Sequence, residues 1–185
     1  MQDKSNEKKK NPLKKTLVLY TMNEIEGIKS IFDRIPISLF DEFFVMDNHS
    51  DDGTVEFLEK NGIKVIQQKK PGRTNALIEA VEYAIGDIII NLSSDGNEKP
   101  EDIPKILEKF NEGYEMVTAS RFLPDSRVDL GDDKLRIRVF GNKLCTFLVN
   151  ICWGANVTDT TNGLRGITKY CYKKTKLSTF SNTEN

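Results

Sequence analysis

Five short apolar, β-rich runs alternate with helical segments along the middle of this chain, and that alternation limits the folds open to it. The runs are Thr16–Tyr20, Phe43–Met46, Lys64–Gln67, Asp87–Leu92 and Glu115–Ala119. The segments between them show helical spacing and stop signals. Asn23–Arg34 sets Ile25, Ile28, Ile31 and Phe32 along one side and halts at Pro36. Thr54–Lys60 closes at Asn61-Gly62, and Thr74–Ala84 aligns Ala76, Leu77, Ala80, Val81 and Ala84. Pro100–Phe110 opens on the residue that suits a first helical turn and is followed by Gly113. Repeated strand–helix–strand units predict an α/β fold, a mostly parallel sheet with helices on both faces. The run DIIINL at Asp87–Leu92 is apolar enough to be a central strand.

Composition removes several function classes. With 185 residues, 38% hydrophobic and 30% charged, the chain suits one globular domain with a sizeable core. A net charge of −1 argues against nucleic acid as a partner. No apolar run reaches the ~18 residues of a membrane span, and Met1–Lys15 lacks the apolar centre of a secretory signal. His49 is the sole histidine, which excludes a multi-histidine metal site and reads as a turn residue. Cys145, Cys152 and Cys171 have no paired spacing, so free thiols in a reducing cytoplasm are expected. Cys145 and Cys152, seven apart in one helical stretch, are expected in the core. Residues 1–15 carry +4 and residues 169–185 carry +3, leaving −8 for residues 16–168. The expected organisation is therefore one domain over 16–168 between two basic, frayed tails.

The polar residues gather where the runs end. Thr21-Met22-Asn23-Glu24 follows the first, Asp47 to Thr54 the second and Lys69 to Arg73 the third. Ser93-Ser94-Asp95-Gly96-Asn97-Glu98 follows the fourth, and Ser120-Arg121-Phe122 the fifth. In an open parallel sheet the carboxyl ends of the strands form the ligand crevice, so these five loops are the expected site. No glycine pattern matches a dinucleotide fingerprint or a P-loop. A phosphate ligand would instead be held by a divalent cation on carboxylates with arginine beside it. Mg²⁺ or Mn²⁺ takes oxygen donors, and Asp95 and Asn97 offer them at the end of the most buried run.

Six motifs in order make the chain resemble the glycosyltransferase family 2 enzymes of the GT-A fold, in particular the branch with dolichyl-phosphate mannose synthase. They are Met22-Asn23-Glu24, Asp47–Thr54, Pro71–Ala76, the strand, loop and helix from Ile90 to Ile103, Ser120-Arg121-Phe122, and Asp159–Arg165. The resemblance covers Thr16 to Ile167. It implies a GT-A nucleotide-diphospho-sugar transferase, inverting, acting in cell-envelope glycan synthesis at the cytoplasmic face. It implies a nucleotide-sugar donor and a lipid-phosphate or saccharide acceptor. Asn23, Glu24, Asp47, Asp52, Arg73, Ser93 and Ser94 would contact the donor. Asp95 and Asn97 would hold Mg²⁺ or Mn²⁺, and Asp95, Arg121, Asp159 and Arg165 would serve catalysis.

The chain departs from the family at three points. Ser93 stands where the first acid of the D-x-D pair belongs, Arg73 replaces a lysine and Thr74 a glycine. A hydroxyl acceptor would need a base, with Asp125, Asp129, Asp132, Asp133 and Asp159 as candidates, whereas a phosphate acceptor needs none. The Asp125–Asp133 stretch reads as a solvated loop or a lid. Leu135–Trp153 is the most apolar helical stretch. Without a strongly basic face it is expected to pack on the sheet or a partner subunit, in a homo-oligomer, rather than on a membrane surface as a peripheral contact. The family usually continues beyond Ile167, so a non-catalytic nucleotide-sugar-binding remnant, or a shortened subunit needing a partner, is the alternative reading. A nucleotidyltransferase is disfavoured by the lack of a Gly-rich loop after the first run.

Overall fold

Three strands that are buried on both faces organise the molecule. The computed structural model describes residues 12–123 and 133–175. In chain order it contains β1 (Lys15–Thr21), α1 (Ile25–Ile31), β2 (Glu42–Asp47), α2 (Thr54–Lys60), β3 (Lys64–Gln67) and α3 (Arg73–Tyr83). There follow β4 (Ile88–Ser93), α4 (Ile103–Asn111), β5 (Met116–Thr118), α5 (Asp133–Trp153), β6 (Arg165–Thr168) and α6 (Lys169–Thr175). The strand order is β3-β2-β1-β4-β6-β5. β1 pairs in parallel with β2 and β4, and β2 with β3.

The period-2 alternation of a strand sorts the core into two layers. Leu17, Leu19, Ile88, Ile90 and Leu92 face one way and meet Ile28 and Ile31 of α1, Leu58 of α2 and Ile103, Ile106 and Phe110 of α4. Val18, Phe44, Met46 and Ile89 face the other way and meet Ala76, Ala80 and Val81 of α3 and Tyr172 of α6. Helices thus cover both faces, as the alternation of the sequence predicts.

Three features depart from the expectations. First, β6 is a strand that the apolar runs did not reveal. It lies antiparallel between β4 and β5, with Asn91 opposite Arg165 and Val117 opposite Gly166. Its sequence, RGIT, is too short and too polar to read as a strand alone. Second, Lys169–Thr175 is a helix rather than a frayed tail, because Tyr172 is buried in the second layer and the Lys169 amide donates to Asp87 O at 2.8 Å. Residues 1–11, 124–132 and 176–185 lie outside the described residues, and with them most of both tails and the loop acids Asp125, Asp129 and Asp132.

Third, α5 turns its apolar side outward. Phe140, Leu144, Phe147, Leu148 and Ile151 are exposed, as are Cys145 and Cys152, which were expected in the core. The side it turns inward is polar. Asn142 and Thr146 are buried there, and Asn150 exchanges hydrogen bonds with the backbone of Val157 at 2.9 and 3.0 Å. Buried amides and hydroxyls stay where they find partners, and the loop after α5 supplies them.

α1 is set hard against the β4 loop. A Cβ on Gly27 would lie 2.2 Å from Ser94 O and 3.1 Å from the Asp95 Cα, so only glycine permits this approach. Gly27→Ala is expected to destabilise the fold by about 1–3 kcal/mol, the usual cost of forcing a methyl into a packed contact. Chemical denaturation will measure this.

Candidate functional site

Parallel strands β1 to β4 all end at one edge of the sheet, and the antiparallel β6 begins there. That topology delivers the loops after β1, β2, β3 and β4, the segment after β5 and the segment before β6 to one place. The two halves of the order diverge between β1 and β4, which is where open α/β sheets carry their crevice. A cavity of about 620 Å³ lies there. Its wall includes Glu24, Arg73, Ser93, Ser94, Asp95 and Arg165 of the residues expected from sequence, together with Tyr20, Thr21, Gln68, Asn91 and Thr161. The Tyr20 hydroxyl donates to Asn91 Oδ1 at 2.7 Å across the β1–β4 seam. The Thr21 hydroxyl is buried and has no hydrogen-bond partner among the described residues. A buried hydroxyl of that kind at a cavity wall is suited to a polar ligand.

Asn23, Asp47 and Asp52 take a different part. They tie the first two loops together rather than line the cavity. Asn23, at a positive φ of 55°, accepts from the Asp51 amide at 2.8 Å and donates its own amide to Ser50 Oγ at 2.8 Å. Asp47 is fully buried at the end of β2 and accepts from the Ser50 amide at 2.9 Å and from its hydroxyl. Asp52 accepts from the amides of Ile25 and Thr54, both at 3.0 Å, and so joins the starts of α1 and α2. His49 also sits at positive φ, 58°, with Nε2 3.1 Å from Gln68 O, a turn residue as expected.

The loop after β4 carries the acids. Asp95 is exposed, and its Oδ1 accepts from the Asn97 amide at 3.0 Å. Glu98, which the sequence reading passed over, folds back so that its Oε2 accepts from the Ser93 amide at 2.8 Å. Its carboxylate therefore stands beside the position from which the first acid of the pair is missing. A Cβ on Gly163 would lie 2.0 Å from Glu98 Oε1 and 3.7 Å from Arg73 Nη2, so the Glu98 carboxylate and the Arg73 guanidinium come close over the Gly163 backbone. Burial pushes the Glu98 carboxyl above its ordinary range; Asp95 adds to that, while the Ser93 amide, Arg73 and Arg165 oppose it. Burial likewise pushes the Arg165 guanidinium down from its usual range, with Glu98 opposing the shift. The signal for Glu98 was present in the sequence as an acid five residues after Ser93, in the loop that had lost one.

Asp95 and Glu98 lie near enough for their charges to interact, and Asn97 belongs to the same loop; all three side chains carry oxygen, the donor type a hard cation takes. Among the described residues no three His, Cys, Asp or Glu side chains cluster tightly enough to hold a metal ion unaided. A cation here would complete its shell with ligand phosphates and water, as Mg²⁺ does at phosphate sites.

Arg121 and Asp159 stand beside the cavity and hold each other. Arg121 Nε donates to Asp159 Oδ2 at 2.8 Å and Nη2 to Oδ1 at 3.1 Å, a forked pair. Arg121 Nη2 also donates to Thr161 Oγ1 at 2.8 Å, and Asn142 of α5 donates to Asp159 Oδ1 at 2.8 Å. Burial pushes the Asp159 carboxyl up, but the hydrogen bonds from Arg121, Asn142 and the Arg121 and Thr161 amides outweigh it and hold the value at about 2. A carboxylate so engaged is a weak base. Its geometry makes it the anchor of Arg121 rather than the proton acceptor the sequence suggested.

With this geometry in place, the family model of Glycosyl transferase family 2 matches residues 17–175. The chain belongs to that family. A dolichyl-phosphate hexose transferase of Haloferax volcanii is 30% identical over 91% of this chain and 70% of its own length. A dolichol-phosphate mannosyltransferase of Pyrococcus furiosus is 30% identical over 63% of this chain and 36% of its own. Glucosyl-3-phosphoglycerate synthase of Mycobacterium tuberculosis, solved with Mn²⁺, UDP-glucose and phosphoglyceric acid, aligns with a TM-score of 0.68 at 23% identity, covering 85% of this chain and 57% of that one. The fold is thus GT-A, as the sequence resemblance implied. The chain spans 36% and 48% of the length of the first two curated relatives.

The depressed Asp159 value makes a signed prediction. A folded-state value of about 2 against 3.8 in the unfolded chain is stabilising above pH 4, and that stabilisation is lost as the pH falls through about 2. Asp159→Asn is expected to lower stability by about 2 kcal/mol at pH 7 and by progressively less below pH 4. Urea denaturation of both proteins across that range will measure the difference.

Proposed function

We propose that this chain is a catalytic domain that moves a sugar from a nucleoside-diphosphate donor to a polyprenyl phosphate, aided by Mg²⁺ or Mn²⁺. The observation that carries the reading is the cavity edge at which Asp95, Glu98, Arg73 and Arg165 converge. Sugar transfer breaks the bond between the anomeric carbon and the diphosphate, and negative charge grows on the leaving group. Fixed cations at that point are worth more than in water, because they need no reorganisation as the charge develops. Arg73 and Arg165 supply them, both close enough to Glu98 to act on its charge. Asp95, Asn97 and Glu98 would hold the divalent ion, which supplies further charge neutralisation when bound.

Proton bookkeeping at the described site supports the same acceptor. A hydroxyl must lose its proton as it attacks; of the five candidate bases Asp159 is spent on Arg121, and Asp125, Asp129 and Asp132 lie outside the described residues. A phosphate is already anionic and needs no base. Two of the relatives carry dolichol or dolichyl phosphate in their names, which supports the same choice. Arg121, exposed and oriented by Asp159 and Thr161, is the side chain to receive that phosphate.

Thermal shift with UDP, GDP, TDP or CMP, each with and without Mn²⁺ or Mg²⁺, tests the donor side. A nucleotide at 100 times its Kd adds about 2.7 kcal/mol of stability. One nucleotide is expected to act, and to need the metal. Asp95→Ala is expected to abolish the metal-dependent part of the shift; an unchanged shift would remove Asp95 from the metal site. Glu98→Gln is expected to weaken the metal-dependent part as well, yet to raise the melting temperature of the free protein at pH 7. The sign follows from the raised Glu98 value: an ionised carboxyl held above its unfolded value of 4.5 costs stability at higher pH, and the amide removes that cost. Transfer of labelled sugar to a polyprenyl phosphate, and not to a saccharide, tests the acceptor side.

A further inference from the structure

The donor reading gives Arg73 and Arg165 to the diphosphate, and Glu98 stands against both. Its Oε2 accepts from the Ser93 amide at 2.8 Å, which fixes the carboxylate at the end of β4. Its Oε1 and Arg73 Nη2 overhang the same Gly163 backbone, within about 6 Å of each other, a separation at which charges act strongly when water is partly excluded. Arg165 feels the charge of both Glu98 and Arg73, and Arg121 feels that of Glu98 as well. Asp95, on the same loop, repels Glu98. Among the described residues Glu98 makes no contact ion pair, so it offsets the arginines without being tied to them.

A carboxylate in that position has opposite effects on two forms of one ligand. A bare diphosphate brings oxygens that repel Glu98 and must compete with it for the field of the arginines. The same diphosphate complexed with Mg²⁺ or Mn²⁺ brings a cation for which a carboxylate oxygen is a ligand. Asp95 has the same sign, but it is exposed and water screens it, whereas Glu98 is half-buried, where screening is weaker. Specificity is a difference of affinities, and Glu98 supplies both the repulsive and the attractive side of that difference.

We propose that Glu98 makes this cavity select a diphosphate ligand in its divalent-metal complex and turn away the metal-free anion, by offsetting Arg73 and Arg165 until a cation is present to engage its carboxylate. The proposal rests on the reading of the cavity as a diphosphate site, while the discrimination itself stands on Glu98. It follows that a product diphosphate that parts from its ion also loses its hold on the arginines, which favours release.

Isothermal titration of the full chain with inorganic pyrophosphate, UDP and GDP, each in EDTA and in Mg²⁺, tests this without any turnover. Wild type is expected to bind weakly in EDTA and more tightly with Mg²⁺. Glu98→Gln keeps an acceptor for the Ser93 amide and removes only the charge. It is expected to bind pyrophosphate in EDTA at least ~5-fold more tightly than wild type, and to bind it less tightly than wild type with Mg²⁺, so that the two conditions converge. The gain in EDTA is expected to shrink in high salt. Glu101→Gln removes the same charge from an exposed acid paired with Arg34 and is expected to change neither affinity. An unchanged or weaker affinity of Glu98→Gln in EDTA would overturn the proposal, as would an equal gain in Glu101→Gln. Absence of pyrophosphate binding under both conditions would overturn it too. Pyrophosphate binding that follows the expected pattern, with no binding of UDP or GDP, would uphold the discrimination and strike the donor reading instead.

Discussion

The buried carboxylate of Asp159 is the point at which sheet, helix and site are joined. It accepts from the side chain and backbone of Arg121 after β5, from Asn142 on α5 and from the amide of Thr161 in the segment that leads into β6. Each donor belongs to a different part of the chain. One charge in a low-dielectric setting therefore fixes the register of three segments that share little apolar contact. A buried charge is tolerated only when it is paired and its lone pairs are filled, and both conditions are met here. The motif Asp159–Arg165 is best understood as this anchor first and as part of the site second.

The regular part of the fold was legible because its signals are local. Runs such as Asp87–Leu92 and helices such as Thr54–Lys60 carry their own periodicity and punctuation, and the structure reproduces them with boundary shifts of up to three residues. What escaped were elements defined by partners. β6 is a strand because β4 and β5 offer it ladders on both sides, and α6 is a helix because Tyr172 finds a place against α3. Composition gives no warning of either. α5 misled for a related reason. Apolar residues at helical spacing identify a helix and its stripe, but they do not say which way the stripe faces.

The site was legible as a location more than as a set of roles. The loops after the first four runs do converge, and Glu24, Arg73, Ser93, Ser94, Asp95 and Arg165 do share a cavity wall, with Arg121 of the fifth loop beside it through Thr161. Asn23, Asp47 and Asp52 turned out to bind loop to loop, a distinction that spacing alone does not contain. Their work is preorganisation: a cavity wall made of four loops keeps its shape only if the loops are fastened to one another. Glu98 escaped because attention to a fixed pattern at Ser93–Asp95 does not extend to an acid that folds back from outside it. In three dimensions the loss at Ser93 and the presence of Glu98 are one feature, a carboxylate delivered to the same neighbourhood by a different route.

The way α5 is attached has a dynamic consequence. Its inner face is fastened by side-chain hydrogen bonds through Asn142, Thr146 and Asn150, each of which contributes on the order of 1 kcal/mol. The central strands are instead clamped between two apolar layers. Fastening of the first kind releases piecemeal, and clamping of the second kind releases only on global unfolding. The helix is therefore a separately opening unit riding on a rigid sheet, and its backbone amides should exchange with solvent deuterium well ahead of those in β1 and β4. Because Arg121 shares the Asp159 carboxylate with Asn142, each such opening also loosens the arginine at the cavity rim, so the order of α5 and the order of the site rise and fall together.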